Sequence, residues 1–292
     1  MKRKKRTNLK PTLKKELKNK TILITGGAGS IGSYLTKKIL EYPVKAVRVL
    51  DIDEHALFRL NYSIKDSRLR ILLGNILDKE RIELAGNNVE IIIHTSAIKN
   101  IVISEFNPIE TIDTNVNGTV NMIKMAMRNK PEKFLNISTD KAADPTTLYG
   151  TTKQLSEIIV SWAGAHIIDS KFASVRLGNI FETRGNVLET WNEELKNKKP
   201  LSITEPSMTR YFFHIDEAVD FILQCLPLIN KGEIFVPKMK SYKIKEIASK
   251  FSKNHKVIGL RQGEKIKEVL ITQLEKKKAQ ELQNMWIINQ YS

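Results

Sequence analysis

The chain has 292 residues, 41% of them hydrophobic, and a formal charge of +16. That length and apolar content suit one large α/β domain, or one with a small added lobe, and exclude a disordered chain. A single cysteine, Cys225, excludes an intramolecular disulfide, and no apolar run reaches the length of a membrane span.

No apolar signal-peptide core follows Met1, so a cytoplasmic protein is expected. The charge is uneven. Residues 1–20 hold ten Lys or Arg (Lys2, Arg3, Lys4, Lys5, Arg6, Lys10, Lys14, Lys15, Lys18 and Lys20) against one acid, Glu16. This basic leader reads as a solvated terminus able to touch an anionic membrane surface. No helix-turn-helix, zinc or aromatic RNA-binding signature accompanies it, so neither a nucleic-acid partner nor a metal site is expected.

From Thr21 onward, short β-branched runs alternate with segments of helical spacing. The pattern predicts strands over 21–25, 46–51, 69–73, 89–95, 133–138 and 172–177. It predicts helices over 31–41, 55–63, 79–85, 108–128 and 148–163. Most strands are apolar throughout, as parallel strands covered on both faces must be. The expected fold is α/β, with a doubly wound parallel Rossmann sheet over 21–180. After Phe181 the rhythm breaks. A helix over 215–228, a strand over 233–236 and a helix over 243–251 follow a polar, turn-rich stretch. Residues 181–292 therefore read as a smaller substrate-binding lobe, partly interleaved with the first domain and lying over the carboxyl ends of its strands.

The run Thr25-Gly26-Gly27-Ala28-Gly29-Ser30-Ile31-Gly32 joins the first strand to the first helix. Gly26 permits a tight turn, Gly29 lets backbone approach a pyrophosphate, and Gly32 lets the helix pack closely. The helix N-terminus then presents free N–H groups to phosphate. Asp51 ends the second strand, 25 residues after Gly26, where a carboxylate accepts ribose hydroxyls and repels a 2′-phosphate. The expected cofactor is NAD rather than NADP; Asp51 capping the next helix is the competing reading.

Tyr149 and Lys153 are four apart on a predicted helix and share a face. The strand before it ends in Ser138-Thr139-Asp140-Lys141. An ammonium near Tyr149 favours tyrosinate, which could take a sugar hydroxyl proton as hydride leaves for a nicotinamide.

These residues resemble the extended, nucleotide-sugar-modifying short-chain dehydrogenases/reductases. His94-Thr95-Ser96-Ala97-Ile98-Lys99, Asn107-Pro108, Asn115-Val116-Asn117-Gly118-Thr119 and Tyr149-Gly150-Thr151-Thr152-Lys153 carry the likeness. The run Ser138-Thr139-Asp140-Lys141-Ala142 is similar to the polysaccharide-biosynthesis branch that contains UDP-N-acetylglucosamine 4,6-dehydratases. Arg176-Leu177-Gly178-Asn179, Arg184-Gly185, Met208-Thr209-Arg210-Tyr211-Phe212 and Gly263-Glu264-Lys265 continue the match, which covers roughly residues 20–290.

The resemblance implies an NAD-dependent elimination. Asp140 would be its acid and Lys141 its base, with Thr139 beside them and Tyr149 and Lys153 serving the redox steps. Donation requires a protonated Asp140, and proton removal requires a partly neutral Lys141. The implied cofactor wall adds Ser30, Ile31, Asn75, Ile76, Thr95, Ser96, Ala97, Lys99, Asn115, Ser138 and Leu177. The implied UDP-sugar contacts are Lys99, Asn179, Thr204, Arg210, Arg261 and Glu264, the two arginines suited to a diphosphate.

The runs 235–239 and 258–265 look more like C5-inverting members, and some retaining relatives carry methionine where Tyr149 stands. Departures from the family pattern are Asn75 for Asp, Thr95-Ser96 for Ala-Ala, Asn100 for His and Gln262 for Pro. A UDP-sugar 4-epimerase would need the same Tyr149/Lys153 pair but no Asp140-Lys141 couple. A C5-retaining dehydratase and a non-catalytic dinucleotide sensor complete the alternatives. Relatives assemble through helices matching 108–128 and 148–163, so a homo-oligomer is expected.

Overall fold

The computed structural model describes residues 10–261 and 263–291. Lys2, Arg3, Lys4, Lys5 and Arg6 of the basic leader, and Gln262, lie outside the described residues. A short helix, α1 (Lys10–Leu17), precedes the regular alternation. That alternation runs β1 (Thr21–Thr25), α2 (Ser30–Leu40), β2 (Ala46–Asp51), α3 (Glu54–Ser63), β3 (Leu69–Leu73), α4 (Lys79–Gly86) and β4 (Ile91–His94). It continues through α5 (Ile101–Phe106), α6 (Pro108–Ile112), α7 (Gly118–Asn129), β5 (Lys133–Thr139), α8 (Leu148–His166) and β6 (Lys171–Leu177).

The strand order β3-β2-β1-β4-β5-β6 is parallel throughout and reverses direction of growth between β1 and β4. In an open α/β sheet that switch point is where ligands bind. Alternate residues of each strand feed two cores. Ile22, Ile24, Val47 and Val49 pack with α2 and the later helix Ile215–Cys225 on one face, and Leu23, Leu50 and Ile92 pack with α4, α7 and α8 on the other. The sheet is thus covered on both sides, as its apolar strands predict.

The remaining elements are β7 (Asn179–Ile180), α9 (Val187–Lys196), β8 (Leu201–Ile203), β9 (Thr209–Phe213), α10 (Ile215–Cys225), β10 (Glu233–Pro237), β11 (Ser241–Lys243), α11 (Ile244–Ala248), β12 (His255–Val257), α12 (Gln273–Lys278), β13 (Gln280–Glu281) and β14 (Met285–Ile288). They divide between two bodies. Strand β10 joins the main sheet parallel to β6, and β14 and β13 extend it antiparallel. Helix α10 packs on the main sheet and α12 against β14. Elements β7, α9, β8, β9, β11, α11 and β12 form a small lobe around Trp191, Leu201, Ile203, Met208, Phe212, Ile244 and Ile247, with short sheets β11-β9-β7 and β12-β8.

Two local features go beyond the sequence pattern. Helix α1 lies within the basic leader, yet Leu13 and Leu17 are buried in the main core, and Glu16 sits 2.6 Å from Lys133. The single helix expected over 108–128 is two helices joined by a π-helical turn, Asp113–Asn117. Such wide turns commonly mark functional sites. Among the described residues no helix is long and apolar enough to cross a membrane.

Candidate active site

The carboxyl ends of β1, β4, β5 and β6 open into a cavity of about 740 Å³, roofed by the small lobe. At its floor is the glycine loop. Gly26 has φ +65°, and a Cβ there would lie 2.8 Å from the Cα and N of Ser96. Only glycine can adopt that turn against β4 without displacing backbone. A Cβ on Gly32 would meet the Gly26 carbonyl at 2.5 Å, so α2 packs directly on the loop. These two close approaches make the bare backbone cradle that a dinucleotide pyrophosphate requires.

Asp51 lines the cavity, and its carboxylate accepts from the backbone N–H of Ala28 at 3.0 Å and of Asp53 at 3.1 Å. It therefore ties the glycine loop to the end of β2. The cap of α3 is Asp53, which accepts from Ala56 N at 2.9 Å.

Of the expected cofactor residues, Gly26, Gly29, Ser30, Ile31, Asp51, Asn75, Ile76, Thr95, Ser96, Ala97, Lys99, Ser138, Tyr149, Lys153 and Leu177 line this one cavity. So do Asn179, Thr204, Arg210, Arg261 and Glu264. Gly32 and Asn115 stand behind the wall. Asn115 is 1% exposed; its amide exchanges hydrogen bonds with Ile98 N and O, at 2.8 and 2.9 Å, and donates to Thr152 Oγ1. The π-helical turn aims this amide at the 95–99 segment, so Asn115 shapes the cavity wall without touching its contents.

His94 closes the wall from below. It is buried between the hydroxyls of Thr25, 2.7 Å from Nδ1, and Thr119, 3.2 Å from Nε2. Burial, with Lys153 adding to it, pushes its pKa down to about 3, so the ring is neutral.

The catalytic candidates meet at the start of α8 and the end of β5. Thr139, Lys141, Tyr149 and Lys153 face the cavity. Asp140 does not: its side chain is fully buried, one layer back from the cavity and paired with Lys141. Its Oδ1 accepts from Lys141 Nζ and from Thr139 Oγ1, each at 3.0 Å, and its Oδ2 has no hydrogen-bond partner.

Protonation also departs from the sequence expectation. Burial opposes the charge on Lys141, but Asp140 and Glu268 outweigh it, so the pKa is raised and the group is an ammonium. Burial raises Tyr149 more than Lys141 and the Thr139 hydroxyl lower it, so it rests as a phenol rather than a tyrosinate. Burial pushes Lys153 down to about 8, against the pull of Glu157.

Two residues at the site stand outside the expected site set: Arg184 enters the sequence reading only as part of the family match, and Glu268 not at all. Arg184 lies across the glycine loop: its N–H donates to Ser30 Oγ at 3.0 Å, and its carbonyl accepts from Lys99 Nζ at 2.8 Å. Glu268 reaches Lys141 from the far end of the chain, Oε1 to Nζ 3.8 Å. No group of three or more His, Cys, Asp or Glu that could hold a metal ion occurs among the described residues.

Residues 22–290 match the family model described as "Polysaccharide biosynthesis protein". A UDP-N-acetylglucosamine 4,6-dehydratase (inverting) of Campylobacter jejuni is 35% identical over 276 residues, covering 92% of this chain and 83% of its own. A UDP-glucose 4-epimerase of Rickettsia bellii is 32% identical over 282 residues, with the same coverage of 92% and 83%. Among solved structures, Pen from Bacillus thuringiensis superposes with a TM-score of 0.88 at 32% identity, covering 93% of this chain and 88% of that one. With its Rossmann sheet, glycine cradle and Tyr149/Lys153 site, the chain belongs to the polysaccharide-biosynthesis family, whose named relatives include nucleotide-sugar dehydratases and epimerases.

Proposed function

We propose that the protein is an NAD-dependent UDP-N-acetylglucosamine 4,6-dehydratase of the C5-inverting kind, making a 4-keto-6-deoxy sugar nucleotide for surface-glycan synthesis in the cytoplasm. The observation that carries this reading is the hydrogen bond between buried Asp140 and Lys141, which lines the same cavity as Tyr149. An epimerase has no use for an acid–base couple there. The dehydratase relative from Campylobacter supports the choice of substrate and stereochemistry.

Gly26, Gly29, Ser30 and Asp51 would hold a nicotinamide dinucleotide, which would supply a hydride acceptor at sugar C4 and a hydride donor at C6. The chain's own groups handle the protons. Tyr149 rests as a phenol, so its proton must first leave to solvent; the tyrosinate Oη then takes the C4 hydroxyl proton, with Lys153, its pKa pushed down to about 8, holding charge beside it. A proton shift across the 3.0 Å Lys141–Asp140 hydrogen bond converts the resting ion pair into a neutral amine and an acid. Lys141 then removes the C5 proton, acidified by the C4 ketone. Asp140 supplies the proton for the departing C6 hydroxyl through Thr139 Oγ1, which touches both the carboxylate and the cavity. Arg210 and Arg261 line the small-lobe side, where a diphosphate would be held.

The test is incubation with UDP-N-acetylglucosamine and NAD in deuterated water, followed by mass and proton NMR. Loss of water with deuterium at C5 is the expected result, and the ring couplings report the face. An unchanged mass with a UDP-N-acetylgalactosamine spectrum would establish the 4-epimerase instead.

A further inference from the structure

Glu268 is a buried carboxylate for which the elimination chemistry above has no role. It is 8% exposed, lines the cavity and stands 3.8 Å from Lys141 Nζ. Its position is built. Thr146 Oγ1 donates to the Gly263 carbonyl at 2.7 Å, and Lys265 Nζ reaches Asp144 Oδ2 at 2.7 Å. Thr209 N donates to the Ile266 carbonyl at 2.9 Å, and Arg176 Nη1 to the Leu270 carbonyl at 2.9 Å. Four contacts from three different parts of the chain thus fix the 263–270 segment against the active site.

The groups facing Lys141 are Asp140 from its own turn, Tyr149 from α8 and Glu268 from this segment. One ammonium between two buried carboxylates is an expensive arrangement, since each carboxylate is desolvated and only one shares a short hydrogen bond. It makes sense if the second carboxylate is needed at another moment. Once Lys141 has passed its proton to Asp140, that pair is neutral. Removal of the C5 proton then creates a fresh ammonium: the C5–H bond breaks, an Nζ–H bond forms, and the electron pair stays on C5 as the enolate of the C4 ketone. A second negative charge beside Nζ is what such a step requires.

We propose that Glu268 is a positioning residue for Lys141, serving as the counter-ion of the ammonium formed when C5 is deprotonated and so setting the strength of that base. The proposal rests on the dehydratase reading. An opposite charge at about 4 Å strengthens an amine base by about one pH unit or more. The neutral Gln fills the same space and lacks only the charge.

The experiment compares wild type, Glu268→Gln and Glu268→Asp, each shown by thermal melting to be folded. Competitive acetylation across pH, read on the Lys141 peptide by mass spectrometry, reports its protonation without turnover. In Glu268→Gln the half-labelling point should move down by about one unit, and Glu268→Asp should restore most of it. With UDP-N-acetylglucosamine in deuterated water, deuterium uptake at C5 and water loss should fall about tenfold or more in Glu268→Gln at neutral pH, while cofactor reduction persists and KM stays near wild type. A Lys141 labelling profile that Glu268→Gln leaves unmoved overturns the counter-ion role. A wild-type chain whose labelling shifts as expected on substitution, but which releases no water from the sugar nucleotide, overturns the dehydratase reading instead.

Discussion

Arg176 offers the sharpest test of how the catalytic layer is held together. It lies on β6 at 1% exposure and makes five hydrogen bonds: two to Glu157 on α8, two to Glu275 at the start of α12, and one to the Leu270 carbonyl. One guanidinium therefore ties the sheet to the catalytic helix and to the segment that carries Glu268. Arg176→Met keeps most of the volume but leaves Glu157, whose side chain is 1% exposed, without its counter-charge. Breaking a buried pair from one side costs about 3–5 kcal/mol. At about 2–4 °C per kcal/mol for a chain approaching this size, the melting temperature should fall by roughly 10 °C in circular dichroism at neutral pH. Adding Glu157→Leu should recover most of that loss, because an apolar pair of similar volume carries no desolvation cost. Burial opposes the charge on Glu275, but its hydrogen bonds and attraction to Arg176 outweigh it and hold its pKa below the usual range. That contribution is present above the unfolded-state value and is lost as pH falls through the folded one, so the gap between wild type and Arg176→Met should narrow in acid. A single-variant loss below about 1 kcal/mol, or a double variant no better than the single, would refute the reasoning.

Arg184→Ala should leave the fold intact and speed release of bound nicotinamide cofactor about fivefold, since the side chain and the loop it anchors lie across Ser30 and Ala28; an unchanged release rate in a dilution assay would deny it that role. Lys153 is 3% exposed with its pKa pushed down to about 8, so its charge costs stability fully below pH 8 and progressively less up to the unfolded value of 10.5. Lys153→Met should accordingly melt higher than wild type at pH 7, with the difference shrinking towards pH 10, while turnover is lost. Leu155, Ile158 and Trp162 form an exposed stripe on α8, flanked by Phe106 and Ile109, which are 81% and 70% exposed. Light scattering should find a homo-oligomer, and Ile158→Asp should give a monomer.

The Rossmann half is legible because its signals are local. Each strand is a short apolar run, each helix an amphipathic one, and the glycine loop announces their junction. The strand limits expected over 21–25, 46–51 and 69–73 coincide with β1, β2 and β3. The small lobe is illegible for the opposite reason. Strands of two to five residues such as β7, β9 and β11 exist only because distant segments pair with them, and no periodicity marks so short a run. The π-helical turn at Asp113–Asn117 is hidden because the helical apolar pattern runs straight through it, and the Asn115 amide it carries pairs with Ile98, a partner 17 residues away that no local pattern marks. Glu268 stands 127 positions after Lys141 in the chain, in a stretch that reads as an ordinary charged loop. The resting phenol of Tyr149 was out of reach for another reason: spacing gives the neighbour but not the depth of burial, and burial dominates.

The same cradle serves dehydratases and epimerases, so the distinction must lie where the architecture does something the fold does not need. Leu23, Ile92, Phe134 and Phe172 already secure the sheet against α8, and Arg176 secures α8 to the C-terminal segment. Stability therefore gives no reason for a buried aspartate with an unpartnered oxygen, a cation at the cavity wall and a second carboxylate behind it. Leaving one such oxygen unpaired costs about 1–3 kcal/mol. Local violations of this kind persist where chemistry demands them. An epimerase must free the keto sugar to turn over in its site, and a proton trap at C5 would divert it into elimination. The cluster at Asp140, Lys141 and Glu268 would thus hinder epimerisation and serve water loss, and it is the physical argument behind the proposed dehydratase.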